Sequence, residues 1–351
     1  MKLAGEFYKK CVIDRVVLVA NVYGRTKYYN ADKEELRIEF FNEREVDQIL
    51  SALRHEGYHV EVYYDESDFI KDVINQHLHD VDNMIVFNLA RNGKGISKKS
   101  LIPCFCDLMK IKYTGSGAYA CSLARNKYHV AKLLQGEYLH GLNSWLFNDG
   151  TWVLNARPPQ DMEVIIKPLY ESASRGIFES NIISTASSNF IHKIEAYYRT
   201  IKSPVLVQQF IRGYEAKIPI FVLDKITAFH PVGVQIGESR FLDDKIITEK
   251  LSYHYKYENY DLRLMFEDEQ LNNIMRAAEN VFELLGMENY GRIDCRITEE
   301  GEFFFYDFAT MPYFTDHSEL MFSFQQEGFS RGALFNLIFN STLISKYNYS
   351  V

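Results

Sequence analysis

A chain of α/β and α+β class in three lobes, opening on a parallel sheet, is what the sequence predicts. Three observations carry that expectation. Arg15 to Asn21 (RVVLVAN) is an unbroken valine-rich run, the pattern of a strand buried on both faces of a sheet. A segment of helical period and a second strand follow it, a β-α-β order that requires parallel pairing. Finally, 351 residues with 47% hydrophobic content exceed what one compact core holds.

The elements follow in order. After a tyrosine-rich irregular stretch, Arg44 to Glu56 sets Val46, Ile49, Leu50 and Leu53 at helical spacing, and Gly57 stops the helix. Tyr58 to Tyr64 (YHVEVYY) then alternates as a strand. A second buried strand, Asn83 to Leu89 (NMIVFNL), leads through a basic loop with glycines to a helix over Ser100 to Met109, and the first lobe ends near residue 115. A central lobe over 116–200 holds a helix from Ser122 to Gln135, a strand at Glu163 to Lys167 and a turn of small residues. The third lobe, 201–351, takes strands at Val205 to Gln209 and Ala216 to Leu223 and a helix from Asp268 to Leu285. It closes on a hairpin of Arg292 to Ile297 with Glu302 to Asp307 about Glu300-Gly301. The tyrosine-rich segment Tyr253 to Tyr260 reads as a loop packed over a neighbour.

Composition narrows the class of function. The net charge of -8 is spread over many Asp and Glu, which argues against nucleic acid as a partner and for small molecules. Five cysteines without a C-x-x-C pair fit neither a disulfide framework nor a zinc cluster, and so predict a reducing, cytoplasmic setting. No stretch reaches the roughly 18 apolar residues that a membrane span needs. His55, His59, His77, His79 and His129 follow no ligand spacing.

Chemistry concentrates at the hairpin. Arg292 and Asp294 are two apart and share a face of their strand, and a short turn brings Asp307 beside Asp294. Two carboxylates that close repel unless a cation lies between them, and hard oxygen ligands in small number suit magnesium carrying a nucleotide's phosphates. Alone, the same residues would make an ordinary solvated strand face. The segment that follows, Thr310-Met311-Pro312-Tyr313-Phe314-Thr315-Asp316-His317-Ser318, makes the reading specific. The R-x-D strand, the acidic second strand and this segment resemble, in the same order, the R-x-D, E-x-N and T-x-P-G-x-T-x-H-S of the D-alanine:D-alanine ligases, a family with the ATP-grasp fold. The resemblance implies that Asp294 and Asp307 bind magnesium, that Arg292 stabilises the negative charge of the tetrahedral intermediate, and that Ser318 holds the carboxylate of the second substrate.

Further matches run in family order over residues 15 to 335. Tyr113-Thr114-Gly115-Ser116 and Asn126-Lys127 resemble Y-T-G-S and D-K; Ile166-Lys167-Pro168 resembles V-K-P. Lys127 and Lys167 inherit contacts to ATP phosphates. Glu171 to Gly176 (ESASRG) sits where the family has a glycine-rich phosphate loop, which gives Glu171 and Ser174 a place beside the nucleotide; small residues let backbone N–H groups approach an anion. Val205 to Glu215 (VLVQQFIRGYE) resembles the hinge strand. Gln208, Gln209, Phe210 and Ile211 would then read adenine, and Glu215 the ribose. Lys250 matches a third phosphate lysine on a mobile loop. In Glu43-Arg44-Glu45-Val46, resembling E-R-E-V, Glu45 would bind the first substrate's ammonium group, although a glutamate at a helix start also serves the helix dipole.

The departures are equally definite. Asp307 replaces a glutamate, Ala309 an asparagine that ligates the second magnesium, Ser172 and Ala173 a glycine and a serine of the phosphate loop, and Leu251 a frequent tyrosine. The early H-G-x-x-G-E-D-G is missing, with Asn88 to Gly95 (NLARNGKG) in its place. The expected activity is an ATP- and Mg2+-dependent carboxylate-amine ligase that passes through an acylphosphate, with amino-acid-like substrates. A homodimer is the expected assembly. The alternative is a degenerate nucleotide- or peptide-binding protein without turnover, which Ala309 and the shortened Asp307 favour. A cell-wall D-alanine ligase is disfavoured by the altered glycine motifs.

Overall fold

The computed structural model describes residues 7–27, 39–92 and 95–345, so residues 28–38 and Gly93 and Lys94 of the basic loop lie outside the described residues. Its first sheet has the order β2-β1-β3-β4, all parallel, from β1 (Arg15–Ala20), β2 (His59–Tyr63), β3 (Met84–Leu89) and β4 (Lys112–Tyr113). The valine run is apolar on both sides because both sides are covered: Val16, Leu18 and Ala20 enter one core, and Val17 and Val19 another. Helix α1 (Glu43–His55) buries Val46, Ile49, Leu50 and Leu53, the stripe its spacing predicts, and starts in a capping box between Asn42 and Glu45. Helices α2 (Glu66–Ile74) and α3 (Leu101–Met109) lie in the same part of the chain.

The single helix expected over Ser122 to Gln135 is two, α4 (Ala118–Arg125) and α5 (Lys127–Gly136). Asn126 leaves helical geometry between them, and its side chain accepts from the His129 N–H to cap the second. The second sheet has the order β6-β5-β9-β7-β8, from β5 (Ser144–Asn148), β6 (Thr151–Trp152), β7 (Glu163–Pro168), β8 (Ile182–Ser184) and β9 (Val205–Gln209). Helix α6 (Phe190–Ile201) packs on it through Phe190, Ile194 and Tyr197. The strand at Val205, assigned from sequence to the third lobe, pairs instead between β5 and β7 of this sheet. Conversely Ala120, Ala124, Val130 and Leu134 of α4 and α5 join the core of the third sheet, not the second.

That third sheet has the order β13-β12-β10-β14-β15, with β11 beside β10. Its strands are β10 (Tyr214–Val222), β11 (Ile226–Ala228), β12 (Val232–Gln235), β13 (Glu258–Asp261), β14 (Tyr290–Ile297) and β15 (Phe303–Ala309). Helices α7 (Glu249–Tyr253) and α8 (Asp268–Leu284) interrupt the strands, and α9 (Glu319–Gln326) and α10 (Arg331–Ser345) follow them. In the β14/β15 hairpin Arg292 faces Ala309 and Asp294 faces Asp307, after which the register slips so that Cys295 faces Phe305. Tyr306 is the extra residue of this bulge. The first sheet and the last two helices share one core, where Phe87 meets Phe314, Phe335 and Phe339 at centroid distances of 5.5, 5.6 and 5.6 Å. Each such buried ring contributes about 2–3 kcal/mol by leaving water.

Candidate active site

A cleft of about 530 Å³, a size suited to a small-molecule ligand, is lined by residues of the second and third sheets and by Tyr23, Phe40, Asn42, Glu45 and Lys99 from the loops and first helix of the opening lobe. Its floor is the β14/β15 hairpin, whose alternation turns Arg292, Asp294, Asp307 and Ala309 into the cleft together. Arg292 grips Asp294 with two parallel bonds, Nε to Oδ1 at 2.7 Å and Nη2 to Oδ2 at 2.9 Å, and donates through Nη1 to Glu319 at 2.8 Å. Burial lifts the Asp294 carboxyl to about 6 even though Arg292 and Lys217 pull against it. For Asp307 burial acts in the same direction, but Lys127 and Lys167 outweigh it and hold the group below the usual carboxylate range.

Lys127 heads α5 and reaches Asp307 at 3.6 Å and the Glu171 carbonyl at 2.6 Å. Lys167, on β7, lies over the Tyr306 ring at 5.2 Å, and burial, with Lys127 close by, depresses it to about 8. The loop after β7 arches over these amines. Ala173 and Ser174 adopt left-handed backbone at φ 54 and 57, a conformation that costs roughly 1 kcal/mol or more per residue without a side-chain reason. The loop is held from outside: Arg125 donates to the Ser172 hydroxyl and the Tyr170 carbonyl, and the Glu249 carboxylate accepts from the Gly176 N–H at 2.6 Å. Glu171 is partly engaged by Arg175 at 3.2 Å.

Gln208, Gln209, Phe210, Ile211 and Glu215 all line the cleft. The N–H groups of Gln209 and Phe210 are spent on the carbonyls of Asn143 and Glu163. The buried Gln208 Oε1 makes no hydrogen bond among the described residues, an acceptor free for a donor in the cleft. Glu215 does not face the cleft unencumbered: Arg296 donates to Oε2 at 2.8 Å and the Tyr306 hydroxyl donates to Oε1.

At the far end, Glu45 lines the cleft; its Oε2 caps its own helix by accepting from the Asn42 N–H, and its Oε1 accepts the Tyr255 hydroxyl at 2.8 Å. Ser318 lines the cleft and its hydroxyl caps α9 by accepting from the Met321 N–H. Lys250 is not brought to the site; it is exposed on α7 and outside the cleft lining, because the turn that carries it is anchored through Glu249 instead. The sequence reading passed over Lys217, Arg296, Tyr306, Glu319 and Tyr255. Lys217 sits two residues after Glu215 and shares its face, a signal that was present. Tyr306 carried none, because strict alternation turns it away and only the bulge returns it.

Two carboxylates on neighbouring strands, Asp294 buried and Asp307 half-buried, both already balanced by cations, are a donor set for a hard metal. Among the described residues no third His, Cys, Asp or Glu completes a cluster with them, so a metal held there draws its other ligands from phosphate and water, as magnesium does. A family model described as the D-ala D-ala ligase C-terminus matches residues 144–340. The D-alanine–D-alanine ligase of Geotalea uraniireducens is 28% identical over 215 residues, spanning 61% of this chain and 64% of its own length. That of Thermotoga petrophila is 24% identical over 309 residues, 86% of this chain and 92% of its own. Among solved structures, the D-alanine–D-alanine ligase from Bacillus anthracis complexed with ATP matches with a TM-score of 0.67 at 15% identity, over 94% of this chain and 97% of that one. This last likeness shows the fold, the three-lobed ATP-grasp architecture.

Proposed function

The chain belongs to the family of the D-ala D-ala ligase C-terminus, and on that premise we propose that it joins a carboxylate to an amine, using ATP and magnesium and amino-acid-like substrates. ATP supplies the phosphoryl group that activates the carboxylate as an acylphosphate, and the amine displaces phosphate to give an amide, ADP and phosphate. The observation that carries the reading is the hairpin floor, with Asp294 opposite Asp307 and Arg292 beside them beneath Lys127 and Lys167. Asp294 and Asp307 would hold the metal; Lys127 and Lys167, with the arch over Glu171 and Ser174, would hold the phosphates. Gln208 Oε1 and the carbonyls of the hinge suit the amino edge of a base, with Ile211 against its face. Arg292 would meet the oxyanion as the amine adds, and Glu45 would orient the first substrate's ammonium. A first lobe over 1–115, a homodimer and a cytoplasmic setting belong to the same proposal, with the second lobe extended past residue 200 to take in β9.

Ala309 favours a second reading, a nucleotide binder without turnover, because it supplies no oxygen to a second metal. ADP release decides between them. Incubated with ATP, magnesium and paired amino acids, the chain should release ADP only when both a carboxylate and an amine are present. Tight binding of ATP with no ADP from any pair would establish the binder.

A further inference from the structure

Lys99 lines the cleft from the opening lobe, and no role described above uses it. It stands just ahead of α3 in left-handed backbone at φ 72, an uncommon conformation for a residue with a Cβ and one that gathers at ligand clamps. Three other cations crowd the same corner, each with its own partner. Lys98 pairs with the buried Glu39 carboxylate, Arg91 lies against the rings of Phe41 and Tyr313 at 4.4 and 4.2 Å, and Arg125 is spent on the Gly95 and Tyr170 carbonyls and the Ser172 hydroxyl. Lys99 makes no hydrogen bond or ion pair among the described residues. Loss of water, with Arg91 and Arg125 close by, pushes its amine well below the ordinary value, and Glu39 pulls the other way without restoring it.

A corner with this surplus of positive charge is complete only when an anion enters it. Two observations say where that anion lies. The Lys99 charge is among those that hold Asp307 low, so it acts on the same carboxylate that Lys127 reaches at 3.6 Å. Its neighbour Arg125 anchors the arch through Ser172, so the corner adjoins the phosphate end of the cleft, away from the base-reading residues Gln208 to Ile211. We infer that Lys99 is the opening lobe's contact to the phosphoryl group in transfer, where the nucleotide's last phosphate meets the first substrate. The inference rests on the ligase reading. In that step a substrate carboxylate oxygen bonds to the terminal phosphorus as the bond from that phosphorus to the bridging oxygen breaks and ADP leaves. Lys99 donates hydrogen bonds to the non-bridging oxygens, whose charge it offsets, and passes no proton.

A cation met only by the third phosphate separates ATP from ADP, and titration calorimetry on the full chain with magnesium reads the difference. Lys99→Met should lose about tenfold in affinity for the β,γ-imido analogue of ATP while ADP stays within about twofold, and Lys99→Arg should recover most of the loss. Without nucleotide, Lys99→Met should melt no lower than the parent, because the charge it removes is a cost to the empty fold. Equal losses for the analogue and ADP, an unchanged affinity for the analogue, or no recovery in Lys99→Arg overturns the inference. So does weaker binding of a carboxylate substrate while the analogue holds, which would give Lys99 to that carboxylate instead. Should Lys99→Met not fold, Lys99→Gln is read in its place, and unfolding of both makes the lysine structural and overturns the inference. The ligase reading fails on a different result, the absence of ADP release from every carboxylate and amine pair, which leaves these affinities as they are.

Discussion

Lys167 shows how one residue sets a pH response. Burial and Lys127 lower it from an ordinary 10.5 to about 8, so its charged form is the less comfortable one until an anion arrives. Nucleotide phosphates bind the charged form. Affinity for ADP should therefore fall as pH rises from 7 to 9, and Lys167→Arg, which keeps its charge, should flatten the profile; a titration at each pH checks this. The stability term has the opposite sign. Between about 8 and 10.5 the unfolded chain holds a proton at this lysine that the empty folded chain has lost, so this group makes the empty protein more stable as pH rises. Arg292 separates binding from turnover. Arg292→Lys keeps a charge between Asp294 and Glu319 but loses the paired geometry, and kcat should fall about 100-fold while ADP affinity stays within a few-fold. Equal losses in both would remove Arg292 from the reaction path.

At the scale of the element, the β14/β15 hairpin does most of the positioning. Ala309 lies opposite Arg292 and two residues from Asp307 on the same face, so an asparagine there would place an amide oxygen beside the proposed metal. Ala309→Asn should lower the magnesium concentration needed for half-maximal activity, measured by titrating magnesium at saturating ATP. This hairpin was legible because Arg292, Asp294 and Asp307 obey the period of a strand and the turn between them is short. The bulge was not, since a register slip depends on which partner strand wins the hydrogen bonds, and with it went Tyr306 and its grip on Glu215. The break between α4 and α5 escaped for a related reason: Asn126 is a poor helix former in any window, but only its bond to His129 shows that it starts a new helix. Glu319 was hidden by its ordinary place in the first turn of a helix, where acids are common.

At the scale of the molecule, sequence order and packing part company. The three sheets follow the order read from the chain, yet β9 crosses into the second sheet, α4 and α5 pack on the third, and α9 and α10 return to the first. Periodicity reports which face of an element is buried but not against what. Because the first sheet and the last helices share a core, Phe335→Ala should cost about 3–5 kcal/mol and lower the melting of both lobes together. The second sheet, with its own core, should melt apart from them, which calorimetry would resolve as two transitions. Asn289 ties the same joint, accepting from the Gly115 N–H at 2.8 Å and donating to the Ile338 carbonyl at 3.0 Å. The unit that can be exchanged between relatives is therefore discontinuous in the gene. A chimera that takes its opening sheet from another ligase must take the closing pair of helices from the same parent, or it will join two half-cores that were never fitted to each other.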